Sequence, residues 1–191
     1  MQIHSKQFHY KLGSRVASAD LVGGTDDIDS AYGRILCALP QFTVMALWHP
    51  VERRVVFSTL PGLNFGLQAA VIAFNRFPDL AVRLLRGVFA WTGTHYFDDF
   101  LTVEPRACAG SGQEVLKEVM ALLGLPVSPE KHVEADSTFV FLGVWCSLLY
   151  LSLMEVRLGI TEARAESICR DIGDIMKVST LCPGEIGRAH V

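Results

Sequence analysis

The apolar residues of this chain follow two spacings, one typical of strands and one typical of helices. Runs rich in β-branched and aromatic residues predict strands, and two of them, at 42–48 and 53–60, flank the short connection 49–52 and indicate a hairpin. Residues 67–88 instead carry apolar side chains at helical spacing, although Pro78 is expected to kink or interrupt that helix. The first half of the chain therefore contains both kinds of element.

The second half continues this mixture. Residues 88–103 predict another hairpin, with Phe97, Asp98 and Asp99 at its turn, and strand character returns over 139–153. Because strands and helices follow one another without regular alternation, an antiparallel α+β layer fits better than a doubly wound parallel sheet.

Two further helices have recognisable end signals. Ser111 followed three residues later by Glu114 is the pattern of a capping box, and Gly124 is placed to end that helix. A last helix is predicted over 161–178, with Thr161 at its N-cap.

The composition is that of a packed globular domain rather than a disordered segment. Of the 191 residues, 50% are hydrophobic and 19% are charged, and the net charge of -3 gives no basic excess that would indicate nucleic-acid binding. The cysteines lie far apart, with no C-x-x-C pair, so neither a zinc site nor a disulfide framework is indicated. The N-terminus lacks an apolar signal peptide, so we expect an intracellular protein, cytoplasmic or nuclear.

Two long uncharged windows need comparison with a membrane span, which takes about 18 or more apolar residues. The first, 55–75, contains Pro61 and several polar residues, and its pattern indicates a strand, a turn and a helix start. The second, 137–154, is barely long enough and carries Gly143 in its middle, so a buried hairpin is favoured over a span. No membrane partner is expected.

Carboxylates cluster at two distant points of the chain. The run Asp26-Asp27-Ile28-Asp29 ends a short strand-like segment, and Asp98-Asp99 lies at the tip of a predicted hairpin. If adjacent strands bring these points together, the like charges repel strongly unless a divalent cation neutralises them, and oxygen ligands without His or Cys favour Mg²⁺ or Mn²⁺. The alternative is that these are solvated turn carboxylates, which usually bind nothing. The residue types alone leave both interpretations open.

The residues around both clusters resemble sequence motifs of reverse transcriptases. Tyr96-Phe97-Asp98-Asp99, followed by apolar Phe100-Leu101, is similar to the Y-x-D-D hairpin of that family. Asp27-Ile28-Asp29-Ser30-Ala31-Tyr32 is similar to its D-x-x-x-A-[YF] motif.

Three further segments resemble the same family in the same order. They are Phe65-Gly66-Leu67-Gln68, similar to the F-G-L segment; Leu123-Gly124-Leu125 through Pro129-Glu130-Lys131-His132, similar to the G-L-x-x-x-P-x-K segment; and Phe141-Leu142-Gly143, similar to the F-L-G primer-grip hairpin. Each motif is weak alone, but five in one order over roughly 22–145 make the resemblance specific.

The resemblance implies a polymerase palm over 22–150, built as an antiparallel sheet with helices packed on one face, with fingers and thumb largely missing. Residues 1–21 would then be a remnant of the fingers or a linker, and 151–185 the start of the thumb or connection. The segment 186–191 matches the in-frame translation of ATC GGA AGA GCA CAC GTC, a sequencing-library adapter, and we expect this tail to be non-native.

The implied activity is that of an RNA-directed DNA polymerase of a retroelement, in which two Mg²⁺ or Mn²⁺ ions promote attack of a primer 3′-OH on a dNTP. The resemblance assigns Asp27, Asp98 and Asp99 to the two ions, and Lys131 to protonation of the departing pyrophosphate. A merely solvated Lys131 is the alternative. Asp29 has no ligand counterpart, so a solvated or structural role is favoured for it. The expected partners are dNTP and an RNA or DNA template with its primer.

Further site residues follow from the same resemblance. The implied nucleotide-binding residues are Ile28, Tyr32, Phe65, Gly66 and Gln68, and the implied primer grip contains Phe141, Leu142 and Gly143. In the family a turn after the first carboxylate places an aromatic ring under the incoming sugar, where it collides with a 2′-hydroxyl. Tyr32 therefore implies selection of deoxynucleotides. A tyrosine packed only in the core is the alternative.

Some features depart from the family pattern. Asn64 stands where a proline is usual, and Phe97 is bulkier than the usual residue of the Y-x-D-D motif, although neither change removes a ligand. The basic residues that clamp a triphosphate have no match before Asp27. The alternative function is a catalytically inactive, truncated or decayed palm that binds nucleic acid or a partner. An RNA-dependent RNA polymerase is disfavoured by Tyr32.

Overall fold

The computed structural model describes residues 8–11, 20–39, 41, 43–63, 68–151 and 155–177. The fold is α+β, as predicted, and the strands of every described sheet pair antiparallel. The chain divides into two compact units, which we call the central unit (21–136) and the terminal unit (1–20 together with 137–191).

The regular elements of the described chain are strands and three α-helices. In chain order they are β1 (Phe8–Lys11), β2 (Leu21–Asp27), β3 (Val44–His49), β4 (Arg54–Thr59), α1 (Gln68–Phe89), β5 (Gly93–Tyr96), β6 (Asp99–Pro105), α2 (Ser111–Leu122), β7 (Val133–Asp136), β8 (Thr138–Phe141), β9 (Val144–Ser147), β10 (Glu155–Ile160) and α3 (Glu162–Lys177). Each predicted hairpin and helix corresponds to elements in this series.

The sheet of the central unit has the strand order β5-β6-β2-β7. β2 pairs with β6 along its whole length and ends with Asp27 opposite Asp99. Directly opposite residues of an antiparallel pair share a face, and successive residues alternate between faces. One face of the sheet therefore carries Asp26 and Phe100, both buried, while the opposite face carries Asp27 and the half-buried Asp99.

Helices α1 and α2 cover the face that carries Phe100. Their apolar residues and Phe100 belong to one core cluster, whose fully buried members include Phe74, Leu85, Leu116 and Met120. The carboxylates of Asp27, which ends β2, and Asp99, which begins β6, lie on the opposite face of the sheet from α2.

The predicted capping box at the start of α2 is wrong: the first turn of the helix is capped by a residue of another element. Its N-cap is Gly110, and no side chain makes the cap bond that the box requires. Instead the buried carboxylate of Glu104 on β6 accepts the backbone N–H groups of Gly110 and Gly112, at 2.6 and 2.8 Å, and the hydroxyl of Ser111 at 3.1 Å. At the other end Gly124 adopts a φ of 76° and closes the helix, as predicted.

Of the two outcomes predicted at Pro78, a kink or an interruption, the interruption is absent: α1 is continuous through Pro78. Pro78 is fully buried, as are Phe74 and Leu85 on either side of it. Burial of the neighbouring turns offsets the hydrogen bond that proline removes from a helix interior.

β3 and β4 form a separate two-stranded hairpin, as predicted. Its register places Trp48 opposite Val55, and Ala46 opposite Phe57, on one face. Trp48 and Phe57 are 62% and 74% exposed, so this face presents apolar surface.

The terminal unit contains the sheet β1-β10-β9-β8 together with α3. The turn between β8 and β9 is Leu142-Gly143, whose φ values of 52° and 74° suit a two-residue hairpin turn. This is the hairpin predicted within 137–154. Among the described residues, no helix is long and apolar enough to cross a membrane. Thr161 caps α3 as predicted, with its Oγ1 accepting the Arg164 N–H at 3.4 Å.

Candidate active site

The end of β2 meets the β5–β6 hairpin at the carboxylates that the sequence singled out. Asp27 lies directly opposite Asp99 in the strand register. The next residue, Ile28, donates its backbone N–H to the Asp98 carbonyl at 3.1 Å. The connection Phe97-Asp98 is only two residues long, and Phe97 adopts a φ of 53° to make the turn. The register therefore brings Asp27, Asp98 and Asp99 together at one end of the sheet.

His95 ties this hairpin to α1. Its Nδ1 lies 3.2 Å from the Phe97 carbonyl, and its Nε2 lies 2.9 Å from Asp79 Oδ1 on the helix. Its ring also lies against the fully buried Phe100, with 5.7 Å between the ring centroids. Sequence reasoning assigned His95 no role, because its partners come from the turn and from another element.

The electrostatics of Asp99 reflect the crowding of these carboxylates. Burial is the largest cause that raises the pKa of Asp99 from 3.8 to about 6, followed by its hydrogen bond with Asp27 and the charges of Asp98 and Asp27. Lys131 acts in the opposite direction on this pKa. Negative charge at this point is therefore only partly compensated by the side chains around it.

Lys131 provides the cation nearest to Asp27. Its Nζ lies 2.9 Å from Asp27 Oδ1, and its side chain is 63% exposed. The hydrogen bond with Asp27 is the main cause that raises the pKa of Lys131, although burial lowers it slightly. The lysine therefore stays protonated near neutral pH and is open to solvent on one side.

Tyr32 follows a sharp bend after β2. Ser30 adopts φ 53° and ψ 36°, and a 3₁₀ turn then spans Ala31–Arg34. The Tyr32 ring is 8% exposed and stacks on Phe74 of α1, with 4.6 Å between ring centroids and an interplanar angle of 22°. Burial raises the pKa of Tyr32, and the Asp98 charge adds to this effect. The bend required by the motif interpretation is present, and the ring is buried against Phe74.

A cavity of about 560 Å³ adjoins these groups. Asp98 and Lys131 form its charged wall, and its other walls include Ile28, Tyr32 and Leu63. The cavity thus combines one acidic and one basic side chain with an aromatic and aliphatic wall.

Asp29 takes part in a local ion pair. It binds the Arg34 guanidinium, which also donates from Nε to the Asp29 backbone carbonyl at 2.7 Å, and it accepts the Ser30 hydroxyl at 2.9 Å. Arg34, with Ser30, holds the pKa of Asp29 below its usual value. These contacts brace the bend and agree with the structural role favoured for Asp29.

The donor set can be compared with the metals that the motifs imply. Within the described ranges, no three His, Cys, Asp or Glu side chains are grouped so as to hold a metal ion as they stand. Lys131 engages one oxygen of Asp27 in this arrangement. The donor chemistry nevertheless fits Mg²⁺ or Mn²⁺, because Asp27, Asp98 and Asp99 offer only carboxylate oxygens where negative charge is poorly compensated.

The remaining predicted site residues fall into three cases. Phe65 and Gly66, like the variant position Asn64, fall outside the described residues, and Gln68 begins α1 with a side chain that the structure does not describe. The predicted primer-grip residues belong to the terminal unit, where Phe141 ends β8 and Leu142 and Gly143 form the following turn. Ile28, at 2% exposure, does line the cavity.

A second polar group lies on the opposite face of β2, and sequence reasoning assigned it no role. The side chain of Asp26 is 2% exposed and bonds to Gln113 and His132. The available signal was strand alternation, which turns Asp26 away from Asp27 and toward the covered face, where a carboxylate needs partners. The partners themselves are distant in sequence.

The comparisons with known proteins leave the resemblance to reverse transcriptases a prediction from the motifs. The chain matches no protein-family model, and comparison with curated proteins likewise found no match.

Proposed function

We propose that this chain is the palm of an RNA-directed DNA polymerase, a reverse transcriptase, which transfers a nucleotide from dNTP to a primer 3′-OH. The observation that carries the proposal is the pairing of Asp27 with Asp99 beside the Asp98 turn, with Lys131 Nζ 2.9 Å from Asp27. Five motifs found in the same order along the sequence support it. The cavity that adjoins Asp98 supplies space for a nucleotide.

Asp27, Asp98 and Asp99 are the residues that would hold the two Mg²⁺ or Mn²⁺ ions. When bound, such ions activate the attacking hydroxyl and offset charge on the phosphates. The protein's part is to keep three carboxylates at one sheet end despite their repulsion, which the register and the short turn accomplish. Asp27 must exchange its bond with Lys131 for this role.

Lys131 is suited to protonate the leaving pyrophosphate. A lysine carries a proton near neutral pH, and the hydrogen bond with Asp27 raises the pKa of Lys131 further; its side chain is also 63% exposed, which gives it access to a departing group once it leaves Asp27. A general acid needs both a proton and access to the departing oxygen.

Tyr32 is suited to select deoxynucleotides. Its ring lines the cavity that Asp98 and Lys131 also line, and the stack on Phe74 limits its movement. A rigid ring beside the sugar discriminates against a 2′-hydroxyl better than a mobile one, because it cannot yield to the additional atom.

Metal-dependent stabilisation tests the proposal on the chain as it stands. A ligand that binds only the folded state raises the melting temperature as its concentration passes the dissociation constant. We expect Mn²⁺ to raise the melting temperature, and Asp98→Asn to abolish the rise. Asp171→Asn on α3 changes the same charge outside the central unit and is the matched control. Equal Mn²⁺ responses in both variants would contradict the assignment.

The second candidate function is a palm that has lost catalysis and retains a binding role. One observation favours it: among the described residues, no three His, Cys, Asp or Glu side chains are grouped so as to hold a metal ion. The same titration separates the two functions. A decayed site gives no Mn²⁺ response even in the unaltered chain, whereas an intact one gives a response that depends on Asp98.

A further inference from the structure

Asp26 is a buried carboxylate whose two oxygens are both satisfied by side chains. Oδ2 accepts Gln113 Nε2 at 2.9 Å, and Oδ1 accepts His132 Nδ1 at 2.7 Å. The Asp26 side chain is 2% exposed, while that of His132 is 39% exposed. A buried carboxylate is tolerated only with such partners, so the chain is constrained to keep both donors in place.

Gln113 also reaches a second element. Its Nε2 donates to the Val133 carbonyl at 3.0 Å, at the start of β7, where the register between β2 and β7 shifts by one residue. The route of its side chain depends on Gly24, because a Cβ at that position would lie 2.3 Å from Gln113 Oε1. One amide therefore connects α2, β2 and β7.

The segment that precedes β7 is held to the end of β2 on both sides of Lys131. Before it, the Ser128 N–H donates to the Asp27 carbonyl at 2.7 Å, and a 3₁₀ turn follows over Pro129–Lys131. After it, His132 is bonded to Asp26. Consecutive residues of β2 thus bond, through opposite faces, to consecutive residues of this segment: Asp26 to His132 and Asp27 to Lys131.

We propose that Asp26, Gln113 and His132 form a positioning clamp that sets where Lys131 presents its amine to Asp27. The role of Lys131 as proton donor rests on the proposed function; the clamp itself rests on the contacts above. Lysine has a long flexible side chain, so its reach is useful only when its backbone is located accurately. His132 and Gln113 supply that accuracy from the helix-covered face, without touching the cavity that Asp98 and Lys131 line.

If the clamp exists, the motion of the Lys131 side chain depends on Asp26, Gln113 and His132, whose side chains make no hydrogen bond to the Lys131 amine. Removing the His132 donor leaves one oxygen of Asp26 unpaired, and the segment after the 3₁₀ turn loses its side-chain attachment to β2. The Lys131 side chain then explores more positions. If the contacts of Asp26 served only to stabilise the fold, removing them would lower the melting temperature without changing the motion of Lys131 in the folded chain.

Lysine-selective ¹³C NMR relaxation at the ε-methylene of the full chain measures this motion, with a chelator present. The Lys131 signal is assigned by its loss in Lys131→Arg, and the exposed Lys117 serves as an internal reference. We expect His132→Leu and Gln113→Met to lower the Lys131 order parameter toward that of Lys117. His132→Asn should restore it, because its amide nitrogen is as many bonds from the backbone as Nδ1.

Glu134→Gln is the matched control, since Glu134 borders the same cavity as Asp26. It should leave Lys131 unchanged. If His132→Leu does not fold, Asp26→Asn removes the buried charge at nearly constant shape and must loosen Lys131 in the same way. An unchanged Lys131 order parameter in folded His132→Leu, Gln113→Met or Asp26→Asn overturns the clamp. None of these measurements uses metal or primer extension, so failure of the proposed function, seen as absent Mn²⁺ response, is distinguishable from failure of the clamp.

Discussion

At the scale of single residues, adjacent aspartates have opposite surroundings. Asp26 is buried and accepts two side-chain donors, whereas Asp27 faces Asp99 and the exposed Lys131. The alternation of a strand separates them, although they are neighbours in sequence. Mutations at these positions should therefore differ in kind: those at Asp26 act through its buried hydrogen bonds to Gln113 and His132, and those around Asp27 act through the charge at the end of the sheet.

Asp99 should make stability depend on pH in the absence of metal. Its pKa is raised to about 6 by burial and by its carboxylate neighbours, from 3.8, so folding takes up a proton between these values. The stabilisation that comes from this proton uptake is fully present below the pKa of the unfolded chain, 3.8, and is lost as pH rises through the folded pKa of about 6. Asp99→Asn should raise stability by about 1 kcal/mol at neutral pH and change it little in acid. If thermal melts show the same gain in stability for Asp99→Asn at neutral and at acid pH, the charge of Asp99 is not the cause.

Tyr32 should determine sugar selection. If the proposed function holds, then in a chimera with the fingers and thumb of an active reverse transcriptase, Tyr32→Ala should allow ribonucleotides, because it removes the ring proposed to exclude the 2′-hydroxyl. The same change should cost about 3 to 5 kcal/mol of stability, since the ring is buried on Phe74. Tyr32→Phe keeps the ring and should keep the selection. Primer extension with both nucleotide types measures the ratio, and an unchanged ratio in Tyr32→Ala would leave Tyr32 as a core residue only.

At the scale of elements, α2 depends on a strand for its start. Glu104 of β6 accepts the first backbone N–H groups of the helix, a function that the sequence pattern assigned to Ser111 and Glu114. Because α2 also carries Gln113, this attachment locates the helix relative to β2. The central unit is thus held by contacts between elements as well as by its core.

Glu104→Ala should destabilise the chain by about 2 kcal/mol, because it leaves the partly buried backbone N–H groups of Gly110 and Gly112 without their acceptor. Glu114→Ala, which a capping box would make equally costly, should change stability by less than about 0.5 kcal/mol. Urea unfolding of the two variants decides between the two caps. Comparable losses in both would restore the local capping box.

At the scale of the whole molecule, the net charge bears on the activity expected of the chain alone if the proposed function holds. The net charge of -3 is unfavourable for a template and primer, whose binding releases counterions in proportion to the cations that contact phosphate. Positioning and charge neutralisation of the triphosphate supply much of the rate in phosphoryl transfer. The basic residues for that task have no match in the sequence before Asp27.

The chain should therefore be folded and nearly inactive by itself. Circular dichroism with a cooperative melt should report a folded protein, while extension of a primed RNA template with Mg²⁺ or Mn²⁺ should remain at background. Robust extension that disappears in Asp98→Asn would refute this expectation. It would mean that residues before Asp27 perform part of the fingers function.

The sequence by itself determined most of the elements, because their causes are local. Strand-like runs on either side of a short connection predicted the β3–β4 and β5–β6 hairpins, Thr161 predicted the start of α3, and Gly124 predicted the end of α2. The motifs also marked Asp27, Asp98 and Asp99 as one group, and the strand register does place them at one sheet end. The metal and the reaction stay predictions.

Only the tertiary structure decided the contacts between residues far apart in the chain. The cap of α2 by Glu104, the stack of Tyr32 on Phe74, and the attachment of Asp26 to Gln113 and His132 follow from sheet register and helix packing. The pattern around Ser111 was misleading because the buried carboxylate of Glu104 accepts the first N–H groups of α2 in place of a local cap. The local spacing of apolar residues shows whether a segment is a helix or a strand. The partner of a buried charge comes from a distant part of the chain, so only the tertiary structure determines which group it is.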